Sequence, residues 1–206
     1  MLEIQRFGIE VMSIVQKGIK LFEEFKEANA LPASAPKESR PIRWQPPPVP
    51  WLKMNIDAAV FSNLSCIGMG AIVRRPNGVF VAAWARRKQG LVSSFVTEAN
   101  ALYHALVWAK GQHFDSLIIE LDCEPLVKAL LHDVEDWATE ARGVVLDCLD
   151  AMKEFQHLQF QHVRREGNRC AHQLAKFSET LVTEMSWIGS SPQCIRDCIE
   201  SELTQV

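Results

Sequence analysis

Three strand-like segments in succession, followed by a change to helical periodicity, constrain the fold of this chain more than any other feature. Residues 52–61, 67–75 and 79–87 are rich in apolar and β-branched side chains, which favour strands. The last two segments are joined by Asn77-Gly78, the strongest short hairpin signal, because both residues tolerate a positive φ. The three segments therefore predict an antiparallel meander.

Helices and strands alternate after the meander. Apolar residues spaced three and four apart predict helices, and the apolar run "SLIIELD" predicts a strand that is buried on both faces. The predicted elements are a helix, a strand, two helices, a strand and a last helix, at residues 97–112, 116–122, 124 onwards, 139–155, 158–166 and 168–181. This order predicts an α/β fold with a five-stranded mixed sheet, three antiparallel strands plus two parallel strands, flanked by helices.

Composition divides the chain of 206 residues into four parts. Residues 1–29 have the spacing of an amphipathic helix, and residues 30–50 are rich in proline, alanine and serine, which is typical of an extended linker. The globular domain is expected over residues 51–182, and the mixed signals of residues 183–206 predict a peripheral tail. The pattern of the first helix fits packing on the domain and binding to a protein partner equally well.

Charge and composition restrict the function only weakly. The formal net charge of -3 gives no global attraction to nucleic acid, so such binding would need local basic patches. The six cysteines lack the spacing of a disulfide framework, and the close pair Cys194 and Cys198 lacks further zinc ligands, so free thiols are expected. Because no apolar run reaches membrane-spanning length and no signal peptide is recognisable, we expect a cytosolic or nuclear protein without membrane contact.

Three carboxylates occupy positions that the predicted fold brings together. Asp57 lies in the middle of the first strand, Glu98 in the first turn of the next helix, and Asp122 at the end of the fourth strand. Each has an ordinary explanation, namely backbone donors, a helix dipole or a helix cap. Three clustered carboxylates, however, repel one another unless a cation lies between them. Because oxygen-only clusters bind Mg²⁺ or Mn²⁺, the sequence predicts a divalent metal site.

Local basic clusters are candidate contacts to phosphates. Two of them lie at the ends of predicted strands, at Arg74, Arg75, Arg86, Arg87 and Lys88. Solvated edge residues that oppose aggregation would look the same. Arg164, Arg165 and Arg169 lie next to the predicted metal site and favour nucleic acid. Asn168, between them, is expected both to contact nucleic acid and to cap the last helix.

Five segments carry a family resemblance. They are "KMNIDAAV", "GMGAIVRRPNG", "TEANALYHAL", "IIELDCEPLV" and "HVRREGNRCAHQLAK". In order and spacing, over about residues 44–182, they resemble the ribonuclease H-like domain of the plant reverse-transcriptase-like family related to non-LTR retrotransposons. The resemblance implies a ribonuclease H fold, an RNA-DNA hybrid or structured RNA as partner, and cleavage of the RNA strand with two Mg²⁺ or Mn²⁺ ions held by four acids. Asp57, Glu98 and Asp122 match the first three acids, as metal ligands and catalytic residues.

The sequence departs from the family pattern at the fourth acid, where His172 replaces aspartate. The resemblance makes His172 the fourth catalytic and metal-binding position, but a neutral imidazole brings no charge and prefers softer ions than Mg²⁺. The loop before the last helix is also short, and it offers only Glu166 where catalytic members often carry histidine. A weakened ribonuclease and an inactive nucleic-acid-binding module therefore both remain open, and a protein-interaction scaffold is a third hypothesis.

Overall fold

A computed structural model describes residues 43–131 and 139–203 of the chain. The predicted helix at residues 1–29 and most of the predicted linker at residues 30–50 lie outside the described residues. Within the described ranges, none of the helices has the length and apolar character needed to cross a membrane.

A six-stranded sheet with five α-helices makes up the described residues. The strands are β1 (Leu52–Phe61), β2 (Cys66–Arg74), β3 (Phe80–Gln89), β4 (Ser116–Leu121), β5 (His157–His162) and β6 (Glu184–Ile188). The helices are α1 (Ser94–Gly111), α2 (Glu124–Leu131), α3 (Thr139–Met152), α4 (Arg169–Phe177) and α5 (Gln193–Leu203). The strand order is β5-β4-β1-β2-β3-β6, with β4 and β5 parallel to β1 and the other pairs antiparallel. The predicted mixed α/β sheet is confirmed, and β6 is added to its predicted five strands.

The segment after residue 183 belongs to the fold, which corrects the predicted peripheral tail. β6 pairs with β3, and α5 buries Ile195, Cys198 and Ile199 against the sheet face that α4 also covers. The prediction failed because β6 is a short edge strand, "EMSWI", whose side chains are mostly exposed. The alternation of Met185 and Trp187 with polar residues extends over too few positions to identify a strand from the sequence pattern.

The globular domain begins before the predicted boundary at residue 51. Trp44 is 1% exposed, and its Nε1 donates to Asn55 Oδ1 at 2.9 Å. The Arg74 guanidinium lies over the Trp44 ring, with Cζ 3.7 Å from the ring centroid. A single apolar residue among prolines gives no periodic signal, so the linker prediction is wrong for this residue.

The sheet separates two hydrophobic cores. Helices α1, α2 and α3 cover one face, and α4 and α5 cover the other. Alternation along β1 directs Met54 and Ile56 to the first face and Lys53, Asn55 and Asp57 to the second, and all five side chains are buried. The strand is therefore polar on the face that meets α4.

Two glycines on β2 allow α4 to lie directly on the sheet. A Cβ atom at Gly70 would come within 2.4 Å of Ala175 N and 2.8 Å of Ala171 O, and one at Gly68 within 2.4 Å of Ala175 O. Larger residues would thus push the helix away, because a packed interior leaves no space for them. Gly70 is the register partner of Asp57. The close approach therefore brings α4 next to Asp57.

The hairpin between β2 and β3 forms as predicted, with a different turn. Gly78 N donates to Arg75 O at 2.8 Å, and Arg75 N donates to Val79 O at 3.0 Å. Gly78 has a φ of +76°, whereas Asn77 keeps a negative φ. Pro76, whose ring fixes φ, suits the first turn position, and Gly78 supplies the left-handed residue that leads into β3.

Candidate metal centre

Strand register brings Asp57 and Asp122 together. β1 and β4 pair in parallel, and their last register pair is Ile56 with Leu121. Asp57 and Asp122 are the next residues along each chain, so both lie where β4 separates from β1. Beyond this point residues 57–61 of β1 line an open cleft of about 470 Å³.

Helix α1 supplies the third carboxylate. Ser93 caps this helix by accepting a hydrogen bond from Val96 N at 3.3 Å. The helix begins at Ser94, three residues before the predicted start, so Glu98 lies in its second turn and outside the strongest part of the helix dipole. Asp57, Glu98 and Asp122 each offer an oxygen within 4.8 Å of the other two. We call these three residues the carboxylate cluster.

Burial and mutual repulsion raise the pKa of two of these carboxyls. Burial raises the pKa of Glu98 well above its usual value, and the charges of Asp57 and Asp122 raise it further. Burial, followed by the charge of Asp57 and a hydrogen bond to its carboxyl, raises the pKa of Asp122 to about 6. The charge of Arg165 opposes both shifts. The carboxylate cluster thus carries more negative charge than its surroundings balance.

One oxygen of the cluster has no hydrogen-bond partner. Glu98 Oε2 is buried and receives no donor within the described residues. An unsatisfied buried acceptor costs about 1–3 kcal/mol, so such atoms call for an explanation. A divalent cation would satisfy this oxygen and offset the repulsion among the three acids. The donor set and its geometry therefore fit an oxygen-ligated cation.

His172 reaches the site through Asp57. Its Nδ1 lies 2.7 Å from Asp57 Oδ2, and its Nε2 lies 3.3 Å from Arg165 Nη2. The structure therefore brings the fourth predicted site residue next to the first. In the described part of the chain, however, the group with metal-ligand spacing contains the three acids without His172.

The three predicted arginine contacts are exposed. Arg164 and Arg165 precede α4, Arg169 begins it, and all three side chains are accessible to solvent. Arg165 also lines the cleft that contains the carboxylate cluster. Their positions are compatible with the predicted contact to phosphates, which itself stays a prediction.

Asn168 is buried, which corrects two predictions for this residue. It is 1% exposed, its Nδ2 donates to Ile56 O at 2.8 Å, and its Oδ1 accepts from Asn55 Nδ2 at 3.2 Å. These bonds tie the start of α4 to β1. Because the amide is occupied inside the protein, it neither faces nucleic acid nor makes a capping hydrogen bond to α4.

Lys176 lines the cleft as well, and the sequence reasoning missed it. It lies four residues after His172 on α4, and residues four apart share one face of a helix. That spacing was visible in the sequence and could have identified it. Glu166, suggested as a substitute for the loop histidine, is not among the described residues that line this cleft.

A second group of metal-ligating side chains lies in the core beneath α5. Cys170, Cys198 and Glu202 are buried and have ligand atoms within 4.8 Å of one another. The Glu202 carboxylate already forms an ion pair with the buried Arg74. A cation here would face the guanidinium, so we assign this group to core packing. All six cysteines are free thiols, as expected from their spacing.

The chain matches a protein-family profile and a curated relative. The profile of the reverse transcriptase-like family matches residues 55–178. An Arabidopsis thaliana protein with ribonuclease H in its name is 27% identical over 146 residues, which cover 71% of this chain and 23% of that protein. The chain thus spans less than a quarter of the length of this relative.

Solved structures share the fold at low sequence identity. RNase H1 from the halophilic archaeon Halobacterium salinarum has a TM-score of 0.56 and 23% identity, with 62% of this chain and 96% of that chain covered. LC11-RNase H1, solved in complex with an RNA/DNA hybrid, has a TM-score of 0.55 and 18% identity, with 62% and 95% covered. These matches confirm the predicted ribonuclease H-like fold.

Proposed function

Because this chain belongs to the reverse transcriptase-like family, we propose that it is a divalent-cation-dependent endonuclease of the ribonuclease H type. It cleaves the RNA strand of an RNA-DNA hybrid, at a rate reduced by His172. The observation that carries the proposal is the carboxylate cluster, with one buried oxygen, Glu98 Oε2, that lacks any hydrogen-bond partner in the described residues. The fold and the name of the curated relative support the reaction class by analogy.

Mg²⁺ or Mn²⁺ suits this site because every donor in the cluster is a carboxylate oxygen. Asp57, Glu98 and Asp122 would hold the cation. When bound, the cation would supply an activated water and would stabilise charge on the reacting phosphate. The three acids hold their oxygens within 4.8 Å of one another, so little rearrangement is needed for binding.

Basic side chains position the substrate in this proposal. Arg165 and Lys176 line the same cleft as the carboxylate cluster, where they would contact phosphates on either side of the cleaved bond. Arg164 and Arg169 extend this positive charge over the exposed start of α4. The protein would recognise its substrate by the phosphates, the 2′-hydroxyls and the shape of the helix, independently of base sequence. This mode of recognition suits a hybrid or a structured RNA.

His172 accounts for the reduced rate. It occupies the position of the fourth acid and contacts Asp57 Oδ2 at 2.7 Å. The site therefore has three carboxylates where four would hold cations more tightly, because each carboxylate adds a negative charge. A weaker cation complex lowers the fraction of protein that is competent for cleavage.

A cleavage assay tests the proposal. The protein is incubated with a hybrid labelled on its RNA strand, with Mg²⁺, Mn²⁺ or EDTA, beside Asp57→Asn and His172→Asp. We expect slow cleavage by the parent with either cation, faster cleavage by His172→Asp, and none by Asp57→Asn or in EDTA. Asp147→Asn, which removes an exposed carboxylate from α3, should cleave like the parent. Cleavage that survives Asp57→Asn would contradict the proposal.

A nucleic-acid-binding module without cleavage is the second candidate function. The contact between His172 and Asp57 favours it, because one oxygen of the central carboxylate is already occupied. This function predicts hybrid binding in fluorescence anisotropy but no cleavage by the parent, with activity appearing in His172→Asp. The predicted protein partner of the first helix concerns residues outside the described ranges and stays a prediction.

A further inference from the structure

A chain of contacts from Arg165 through His172 to Asp57 determines which atoms remain available to a cation. His172 Nε2 lies 3.3 Å from Arg165 Nη2, and His172 Nδ1 lies 2.7 Å from Asp57 Oδ2. A guanidinium group has donors and no acceptor. In a neutral ring, Nε2 is therefore the acceptor in the contact with Arg165, and the proton lies on Nδ1, where it donates to Asp57.

This protonation state removes His172 from the set of metal ligands. A ring nitrogen binds a metal through its lone pair, and the one lone pair of this tautomer, on Nε2, already accepts from Arg165. The Nδ1–H group meanwhile occupies Asp57 Oδ2 on the side of the site that faces α4. The Asp57 side chain is 4% exposed, so its carboxylate has little room to turn away from this bond.

Arg165 opposes a cation on the same side of the site. It lines the cleft with the carboxylate cluster, and its charge acts to lower the pKa of both Glu98 and Asp122. A second divalent cation beside His172 would face an N–H donor and a guanidinium. Glu98 Oε2, by contrast, has no hydrogen-bond partner among the described residues.

We infer that His172 is a positioning residue that holds Asp57 by a hydrogen bond, and that the site takes one divalent cation in place of the two implied by the family resemblance. Arg165 sets the tautomer of His172. The number of cations rests on the proposed function, whereas the tautomer rests only on the contacts of the protein itself.

Calorimetric titration with MnCl₂ counts the bound cations. We expect one Mn²⁺ per chain for the parent and two for His172→Asp, because aspartate replaces the N–H donor with a fourth carboxylate. His172→Asn, whose amide can still donate to Asp57, should stay at one. His157→Asp makes the same substitution at an exposed position at the start of β5 and should also stay at one. Thermal unfolding of each variant verifies that it is folded.

The outcomes separate this inference from the proposed function. Two cations in the parent, or one in a folded His172→Asp protein, would overturn the inference and leave the proposed function standing. No Mn²⁺ binding by either protein would overturn the proposed function.

The tautomer is tested without metal, by ¹⁵N–¹H correlation of the histidine side chains at pH 8. We expect the parent to show His172 protonated on Nδ1, with an unprotonated Nε2. Arg165→Ala should bring in signals of the other tautomer, whereas Arg164→Ala, which removes a neighbouring exposed arginine, should leave the His172 signals unchanged. A His172 ring protonated on Nε2 in the parent would overturn the inference.

Discussion

Two polar groups lie next to each other on the same face of β1, and their charges are arranged in opposite ways. One is the carboxylate cluster. The other begins two residues earlier, and we call it the charge-balanced network; its members are Trp44, Lys53, Asn55, Arg74, Glu120, Asn168 and Glu202. The network is buried and the cluster is partly buried, and the two differ in whether each charge meets an opposite charge.

In the charge-balanced network, the buried charges are paired. Lys53 bonds to Glu120, and Arg74 bonds to Glu202. Asn55 joins the pairs, because its Nδ2 donates to Glu120 Oε2 at 2.8 Å and its Oδ1 accepts from Arg74 Nη2 at 3.3 Å. Paired and hydrogen-bonded charges can be buried without a large net cost. This network has the character of a structural element.

Around the carboxylate cluster, the basic side chains that line the cleft among the described residues are Arg165 and Lys176, and His172 Nδ1 contacts Asp57. Burial, followed by the charges of the neighbouring acids, raises the pKa of Glu98 and that of Asp122. The comparison teaches that a buried charge does not by itself mark a functional site, whereas an imbalance of buried charge does. A ligand that neutralises such an excess of charge stabilises the protein more than a ligand that binds beside charges already paired.

The largest loss of stability is expected when an ion pair of the charge-balanced network is broken. Glu120→Ala leaves the Lys53 ammonium group, whose side chain is 4% exposed, without a carboxylate. We expect the free energy of unfolding to fall by about 3–5 kcal/mol, measured by urea denaturation. The double variant Lys53→Met/Glu120→Leu should recover most of this decrease, because it removes both charges. A decrease no larger than that for an exposed ion pair, about 1 kcal/mol or less, would contradict the description of this network.

The free energy of unfolding should change in the opposite direction when a charge is removed from the carboxylate cluster. Glu98→Gln keeps the shape of the side chain and removes a buried charge that two neighbouring acids repel. In metal-free protein at pH 8 the free energy of unfolding should rise, measured by the same denaturation. Mg²⁺ should then stabilise the variant less than the parent. If the variant is less stable than the parent without metal, the two groups do not differ as described.

A smaller effect, dependent on pH, is expected for Asp122. Its pKa is raised from the usual 3.8 to about 6, so the folded protein holds this proton more tightly than the unfolded chain. The stability that Asp122 contributes is therefore fully present below about pH 3.8 and is lost as the pH rises through about 6. Because asparagine does not titrate, the Tm of Asp122→Asn relative to the metal-free parent should be higher at pH 7.5 than at pH 4.

His104 does not disturb this comparison. Burial, with the charges of Arg86 and Lys88, lowers the pKa of His104 to about 4, so its contribution to stability falls as the pH falls from 6.5 towards 4. Parent and Asp122→Asn share this contribution, which cancels in the difference between their Tm values. A difference that is the same at both pH values would contradict the raised pKa of Asp122.

The smallest effect, on the affinity for nucleic acid, is expected when the exposed arginines are replaced. Replacing Arg164 and Arg169 together with alanine should weaken binding to a hybrid severalfold. The slope of binding against salt concentration should also fall, by about one unit for each phosphate that the variant no longer neutralises. Fluorescence anisotropy at several salt concentrations measures both quantities. Lys153→Ala removes an exposed charge that is paired with Asp150, away from the cleft. An equal effect of this control would show that the arginines act only through net charge.

The carboxylate cluster was predictable from sequence because it follows from topology. β1 has the predicted bounds, residues 52–61, and a parallel β4 beside it places Asp122 next to Asp57. Helix α1 was also predicted, within three residues at its start. The positions of these elements are fixed by hydrophobic periodicity, which is a local property of the sequence.

The charge-balanced network was not predictable, because its members are dispersed from Trp44 to Glu202 and meet only through side-chain geometry. No periodic pattern links such residues. The resemblance placed His172 at the same site as Asp57, but it did not predict their hydrogen bond. That bond depends on the close approach of α4 to Gly70 and on the position of Arg165, neither of which a motif specifies.

The central claim is that the carboxylate cluster binds a divalent cation and the charge-balanced network does not. Titration of ¹⁵N-labelled protein with Mn²⁺ tests it most directly, because paramagnetic broadening falls steeply with distance from the ion. The amide signals of residues 56–58, 97–99 and 121–123 should broaden first, and Asp57→Asn should abolish this effect. Broadening that begins instead at the acidic groove lined by Asp147, Asp150 and Glu154, or that persists unchanged in Asp57→Asn, would contradict the claim.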